Sequence, residues 1–225
     1  MTTFTIFRFP ARKAWWAFGQ MGRKILQPPR GCAFYKMLGT GRNGFGIIPD
    51  FRQYTFLATW ESEHQADEFF ASALFQAYAT QALEYSTLKM RPIQSHGRWD
   101  GVEPFVVSHE IDKGYLGPLV VLTRAKIRFS KLLDFWRHVP QAHASLNQSD
   151  GVLLALGVGE VPLVEQATVS MWESLDALKR YAYQQSGHRE IVQRTRQRGW
   201  YSEELFARFV PVGDWERTIL RSVKM

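Results

Sequence analysis

The sequence is poor in cysteine, with Cys32 the only one among 225 residues. A single cysteine excludes an internal disulfide and any metal site built from several thiolates. Cys32 lies in a predicted strand, and free cysteine in proteins is most often buried. We therefore expect a core thiol there rather than a metal ligand.

Long apolar runs and hydrolase signatures are also missing. No segment reaches the roughly 18 uninterrupted apolar residues of a membrane helix, and the first residues lack a charged segment followed by an apolar signal core. We therefore expect a cytoplasmic protein. No His-Glu-x-x-His or paired-carboxylate pattern occurs, which argues against a zinc hydrolase. A hydrophobic fraction of 45% provides enough material for a compact core.

The chain has a formal net charge of +7. No RNA- or DNA-binding signature accompanies the basic residues, which are mixed with acids, so nucleic acid is not expected as a partner. The segment from Arg12 to Lys24 surrounds Trp15 and Trp16, and it predicts weak, salt-sensitive contact with the inner face of an anionic membrane. The alternative, which the sequence slightly favours, is that both tryptophans are core and the charges are solvated.

An internal repeat covers most of the chain. The string Leu-Gly-x-Gly occurs at residues 38 and 156, an offset of 118 (156 minus 38), and Trp-Glu-Ser occurs at 60 and 172, an offset of 112 (172 minus 60). The first copy therefore has six extra residues between the two strings (118 minus 112). The repeat predicts that each half is a similar supersecondary unit, with Trp60 equivalent to Trp172 and both in the core, and with Gly39 equivalent to Gly157.

Each half has the pattern strand, helix, strand, strand, helix, strand. In the first half we predict strands at residues 3–9, 32–39, 53–60 and 87–93, with helices at 11–26 and 61–85. In the second half we predict strands at residues 119–129, 152–157, 166–172 and 205–210, with helices at 130–147 and 175–198. The predicted fold is α+β, with two tandem ferredoxin-like repeats, residues 1–107 and 118–225, forming a dimeric α+β barrel within one chain.

Five strings together resemble a known family: FYKMLGTG from residue 34, GRWDG from 97, LTRA from 122, GVGEVP from 157 and GWYSEELFARF from 199. In this order, and over almost the whole chain, they resemble the spheroidene monooxygenase family of carotenoid biosynthesis. The resemblance implies an oxidoreductase that uses b-type haem to hydroxylate or oxidise an apolar, carotenoid-like polyene. It also implies a ferredoxin-like electron donor.

The resemblance also implies residues for the site. It gives His188 as the axial ligand of the haem iron, a role that neutral imidazole fulfils well. His96 is the second choice for cofactor binding, and Arg98, which begins an Arg-Trp-Asp run with a glycine on either side, suits a haem propionate. Lys36 and Arg124 interrupt apolar strands and are candidate catalytic residues. The alternatives stay open: a surface or capping role for His188, and outward-facing charges at Lys36 and Arg124.

Two other classes of function also stay open. A haem-binding or haem-transfer protein without turnover would have the same fold and ligand. A cofactor-independent monooxygenase of the same barrel type, acting on aromatic compounds, would bind no haem. The sequence does not decide among these substrates and activities.

Overall fold

Eight antiparallel strands close into one barrel in the computed structural model, which describes residues 1–22, 28–46, 48–107, 115–147, 149–184 and 198–216. The strands are β1 (Thr2–Arg8), β2 (Cys32–Gly41), β3 (Pro49–Trp60), β4 (Glu84–Gly97), β5 (Leu119–Ile127), β6 (Val152–Gly159), β7 (Glu165–Trp172) and β8 (Tyr201–Val212). Their order around the barrel is β1-β3-β2-β6-β7-β5-β8-β4. All eight predicted strands are present.

Helices lie outside the barrel, so the predicted α+β class is confirmed. They are α1 (Ala14–Gly22), α2 (Glu63–Ala71), α3 (Ala73–Ala79), α4 (Leu132–Asn147) and α5 (Leu175–Lys179), which continues as a π-helix over Arg180–Gln184. Short 3-10 turns at Ala11–Lys13 and Phe129–Lys131 precede α1 and α4. No helix in the described ranges is long and apolar enough to span a membrane.

The single helix predicted over residues 61–85 is wrong. Ser72 has an extended backbone, with φ −70° and ψ 152°, and this ends α2. Its hydroxyl accepts a hydrogen bond from the backbone N–H of Phe75 and so caps α3. A serine side chain competes with the helical backbone for hydrogen bonds, and this favours a break that apolar periodicity does not reveal.

The two halves of the barrel have the same strand order, β4-β1-β3-β2 and β8-β5-β7-β6. Trp60 ends β3 opposite Cys32, and Trp172 ends β7 opposite Val152, with a register shift next to each pair. The proposed match of Gly39 with Gly157 is wrong by two residues.

The strand register gives the reason. Gly39 faces Tyr54, six residues before Trp60 (60 minus 54), whereas Gly159 faces Gln166, six residues before Trp172 (172 minus 166). Gly159 is therefore the equivalent of Gly39, and the two face each other where the halves join. The Leu-Gly-x-Gly string is therefore repeated in the sequence, but its two copies are not at equivalent positions in the paired strands.

The core has an inner part and an outer part. The barrel interior is filled with apolar side chains, including Phe4, Leu57, Met90, Leu122 and Phe209. Outside the barrel, Trp60 packs on Phe69 of α2 and Trp172 packs on Tyr181. Both tryptophans are at most 3% exposed, which confirms their prediction as core residues.

Cys32 is buried in the outer core of the first half, as predicted. Burial raises the pKa of its thiol to about 11 and outweighs the lowering by a backbone hydrogen bond of Phe34. The thiol is therefore protonated at neutral pH, which fits a core residue and not a thiolate ligand.

Candidate active site

Charged side chains close one end of the barrel, and we call them the barrel-end charge cluster. Its members are Lys36, Asp100, Arg124, Lys126, Glu160, Glu165 and Glu203. Each of the five strings that carry the family resemblance supplies one of them: Lys36, Asp100, Arg124, Glu160 and Glu203. The strings are scattered over the chain, and the fold brings them to one place.

Arg124 lies at the centre of this cluster, with a side chain that is 1% exposed. Alternation along β5 directs Arg124 to the same side as Leu122, which belongs to the interior core. Its guanidinium contacts Glu203, lies 3.3 Å from Asp100 Oδ1, and sits 5.4 Å from the centroid of the Trp99 ring. The alternative of an outward-facing Arg124 is therefore wrong.

Lys36 joins the cluster from β2. Its Nζ donates to Asp100 Oδ2 at 2.5 Å and to Glu160 Oε2 at 2.8 Å, and its side chain is 15% exposed. Burial acts to lower the pKa of Lys36, but the hydrogen bonds to Asp100 and Glu160 and their charge outweigh it and raise that pKa. Lys36 is therefore a firmly charged member of an ion-pair network.

A tight turn at residues 99–102 helps to close this end of the barrel. Asp100 and Gly101 have φ of 52° and 77°, and Trp99 and Val102 exchange backbone hydrogen bonds of 2.8 and 3.1 Å. Positive φ at both central residues is typical of a type I′ turn, for which Asp-Gly is a favoured pair. The Glu203 carboxylate accepts the N–H groups of both central residues, at 2.9 and 2.8 Å.

Trp99 occupies the barrel end as a result of this turn. The indole is 1% exposed, its Nε1 donates to Glu160 Oε1 at 2.6 Å, and Lys36 and Arg124 both lie within 6 Å of its ring centroid. The cleft beside it has a volume of about 130 Å³. This volume includes open solvent and is still below the ~300–1,000 Å³ of usual ligand pockets, so this end of the barrel does not accommodate a large ligand.

Acid is expected to destabilise the fold through this cluster. Burial acts to raise the pKa of Asp100, but the hydrogen bond from Lys36 and the charges of Lys36 and Arg124 hold it below its usual value. For Glu203, burial is likewise outweighed by hydrogen bonds from Gly101 and Asp100 and by Arg124, and the pKa is lowered. Because both pKa values are lower in the folded protein, the unfolded chain binds protons first as the pH falls.

The stabilisation from Asp100 and Glu203 is therefore complete above about pH 5 and is lost as the pH falls through the folded-state pKa values. Urea unfolding followed at several pH values between about 7 and about 3 measures this loss. A free energy of unfolding that does not change over this interval contradicts the prediction.

A second feature lies on the outer face of the barrel in the second half, and we call it the outer-face strip. One row of residues crosses five strands by direct pairing: His96, Phe206, Thr123, Thr168 and Gly157. Thr123 is the one exposed position of β5, although β5 is flanked by two strands. Thr123 is therefore open to solvent, whereas Phe45 and the Gly44 carbonyl lie against Gly157 and cover that end of the row.

The edge of the strip carries aromatic and basic groups. The His96 ring is exposed and stacks on Phe206 with ring centroids 5.2 Å apart. The Arg208 guanidinium lies 5.6 Å from the centroid of the same Phe206 ring. Arg98 follows His96 by two residues, after Gly97 with φ 89°, and its side chain is 63% exposed and 3.7 Å from Glu103.

The predicted site residues therefore fall in two neighbouring places. Lys36 and Arg124 meet in the barrel-end charge cluster, whereas His96 and Arg98 lie at the exposed edge of the strip. His188 lies outside the described residues. The sequence analysis missed the carboxylates that hold the cluster together, although each of the strings that carry the resemblance contains a charged residue.

The fold and the site define an α+β barrel protein with one end closed by ion pairs. A solved structure of aldoxime dehydratase has the same fold, with a TM-score of 0.60 at 12% identity, covering 93% of this chain and 80% of that chain. A second structure, aldoxime dehydratase OxdRE in complex with butyraldoxime, also has a TM-score of 0.60, at 11% identity. No protein-family model matches the chain.

Sequence similarity identifies the family. Spheroidene monooxygenase of Rubrivivax gelatinosus is 37% identical over 209 residues, 89% of this chain and 79% of that protein. The protein of the same name from Cereibacter sphaeroides is 34% identical over 224 residues, 95% of this chain and 68% of that protein. The chain belongs to the spheroidene monooxygenase family, which supports an oxidoreductase of the monooxygenase type.

Proposed function

We propose that the protein is a haem-dependent monooxygenase that oxidises an apolar, carotenoid-like polyene with dioxygen and with electrons from a ferredoxin-like donor. The observation that supports this function is the identity of 34% and 37% with two spheroidene monooxygenases over most of both chains. Spheroidene, the compound in the names of these relatives, is the first substrate to test.

The outer-face strip suits a flat, apolar cofactor. Thr123 and Thr168 form a floor of small residues, and Phe206 provides an aromatic edge. Arg98 has donors for a carboxylate at the exposed rim, where a haem propionate would meet solvent. These residues support our placing a b-type haem here, which would supply the activation of dioxygen when bound.

The proposed axial ligand is His188, as the family resemblance implies. A neutral imidazole bonds iron through one ring nitrogen, and its other ring nitrogen usually donates to a carbonyl or carboxylate that orients the ring. His96 is the alternative within the described residues, because it is exposed and fixed against Phe206 at the edge of the strip.

A catalytic role for Lys36 and Arg124 stays a prediction, and the geometry favours a positioning role. Thr123 and Arg124 are neighbours in β5 and therefore point to opposite faces, so the Arg124 side chain is directed away from the strip. Through Asp100 and Glu203, Arg124 holds the turn that follows Arg98. We propose that the two cations keep the rim of the strip in place.

We also infer that residues 1–107 and 118–225 are tandem ferredoxin-like repeats. The equal strand order of the two halves and the equivalent places of Trp60 and Trp172 support this inference. The haem ligand and the outer-face strip would then both belong mainly to the second repeat.

Product analysis tests the proposed function. Haem-loaded protein supplied with spheroidene, isotopically labelled dioxygen and a reduced ferredoxin system is expected to form an oxidised carotenoid containing the label. Protein without haem is expected to form none. Labelled product from haem-free protein would indicate a cofactor-independent monooxygenase, and stable haem binding with no product from any carotenoid would indicate a haem-binding protein without turnover.

A further inference from the structure

Three aromatic side chains form an exposed patch on the first half of the barrel, which we call the aromatic patch. Trp15 and Phe18 extend from α1, and Phe51 lies near the start of β3; they are 78%, 50% and 39% exposed. Their ring centroids are 5.7 to 6.3 Å apart, so each ring contacts the other two. Single exposed apolar residues are common, but a contiguous exposed aromatic cluster marks an interaction surface.

The neighbouring Trp16 behaves differently. Its ring packs on Phe9 and Tyr78, at centroid distances of 5.7 Å, in the outer core of the first half. The alternative in which both tryptophans are core residues is therefore wrong for Trp15. Trp16 packs α1 against the first half of the barrel, whereas Trp15 on the same helix is exposed.

The charge of the first 49 residues, which include Trp15 and Phe18, has one sign. The first 49 residues contain eight Lys and Arg and no Asp or Glu, a charge of +8 compared with +7 for the whole chain. Arg12 is exposed and lies in the 3-10 turn that leads into α1, next to Lys13. The first acidic residue is Asp50, whose carboxylate accepts the backbone N–H of Arg52 at 2.9 Å.

We propose that the aromatic patch docks this protein on an anionic lipid bilayer. Tryptophan and phenylalanine insert into the headgroup region, and basic residues beside them are attracted to anionic lipids. An aromatic patch that draws Trp15 and Phe18 from a basic segment matches both requirements, and this charge complementarity favours a bilayer over a second copy of the equally basic chain. The inference depends on the surface alone and not on haem or turnover.

Co-sedimentation with vesicles tests the proposal. The full-length protein is expected to bind vesicles that contain phosphatidylglycerol at low ionic strength, and to bind pure phosphatidylcholine much more weakly. Each basic side chain near an anionic surface contributes a factor of about five in binding, so Arg12→Gln with Lys13→Gln is expected to weaken binding roughly 30-fold. Trp15→Ser is expected to weaken it roughly tenfold, because the inserted ring is lost.

Matched variants in the second half serve as controls. Phe129 is 85% exposed in the 3-10 turn before α4, and Phe129→Ser is expected to leave vesicle binding unchanged. Lys179→Gln with Arg180→Gln removes two cations that are about half exposed and is expected to have a much smaller effect than the Arg12 and Lys13 pair. Circular dichroism and the thermal midpoint confirm that each variant is folded.

Three results would overturn the proposal. These are absence of binding to anionic vesicles at low salt, equal binding to neutral vesicles, and a loss with Phe129→Ser as large as that with Trp15→Ser. Salt is expected to reduce the binding of the native protein, since the Debye length shortens from about 30 Å at 0.01 M to about 8 Å at 0.15 M. Binding that does not respond to salt also contradicts the charge-based mechanism.

Discussion

Protein produced with an adequate supply of haem is expected to show a Soret band, and His188→Ala is expected to lose it or shift it strongly. As the proposed ligand, the His188 imidazole would set the ligand field of the iron and anchor the cofactor, so its removal is expected to change the spectrum more than the other histidine substitutions do. Absorbance of the purified protein, followed by haem titration of the variant, measures the effect.

Two other histidine variants complete this experiment. His96→Ala removes the alternative ligand at the edge of the outer-face strip and is expected to keep the native spectrum. His64→Ala is a neutral control, because His64 is 81% exposed and lies 3.4 Å from Glu68 on α2. A native spectrum in His188→Ala together with a lost band in His96→Ala would transfer the ligand role to His96. A native protein that never acquires haem would contradict the proposed cofactor itself.

Arg124→Met is expected to lower the free energy of unfolding by about 3 kcal/mol. The methionine retains part of the volume but leaves Asp100, Glu165 and Glu203 without the buried cation at their centre. Removing one partner of a buried ion pair typically costs about 3–5 kcal/mol, and we take the lower end because these carboxylates are partly exposed. Urea unfolding at neutral pH measures the change.

Lys126→Met is the matched control for this substitution. Lys126 lies two residues further along β5, is 42% exposed, and pairs with Glu165 at 2.9 Å. Lys126 is partly exposed and Glu165 keeps Arg124 at 3.9 Å, so the control is expected to be nearly neutral, at about 0–1 kcal/mol. The difference between the two variants should shrink as the pH falls towards about 3, because the unfolded chain then binds protons and the native protein loses the stabilisation from its ionised carboxylates. Equal losses of unfolding free energy in the two variants at neutral pH would contradict the prediction that Arg124 stabilises the cluster more than Lys126 does.

The strands and their order within each half could be predicted from the sequence, because alternation of apolar, β-branched and aromatic residues records which side chains face a core. The break at Ser72 could not be predicted, because the apolar spacing continues across it. The cause is a local hydrogen bond, in which the Ser72 hydroxyl accepts the backbone N–H of Phe75. The register of Gly39 also could not be predicted. A repeated string identifies similar segments, but it does not show which residues face each other in paired strands.

For the barrel-end charge cluster, the sequence pointed to strings that each supply one member, but it left the orientation of Arg124 open. A charged side chain in an apolar strand usually points to solvent. It points inward when it has ion-pair partners there, as Arg124 has in Asp100 and Glu203. Those partners are distant along the chain: the backbone N–H of Asp100 donates to Glu203 across 103 residues. No local pattern encodes a contact over such a separation.

The order of elements, the repeated halves, the absence of a disulfide and the family resemblance all follow from the sequence alone, because they depend on composition and on neighbours along the chain. Other features needed the folded chain: closure of eight strands into one barrel, the meeting of five scattered charges at its end, and the exposure of Trp15 beside a packed Trp16. They depend on which distant segments become neighbours in space, since burial and ion pairing are properties of an assembled surface and not of a single segment.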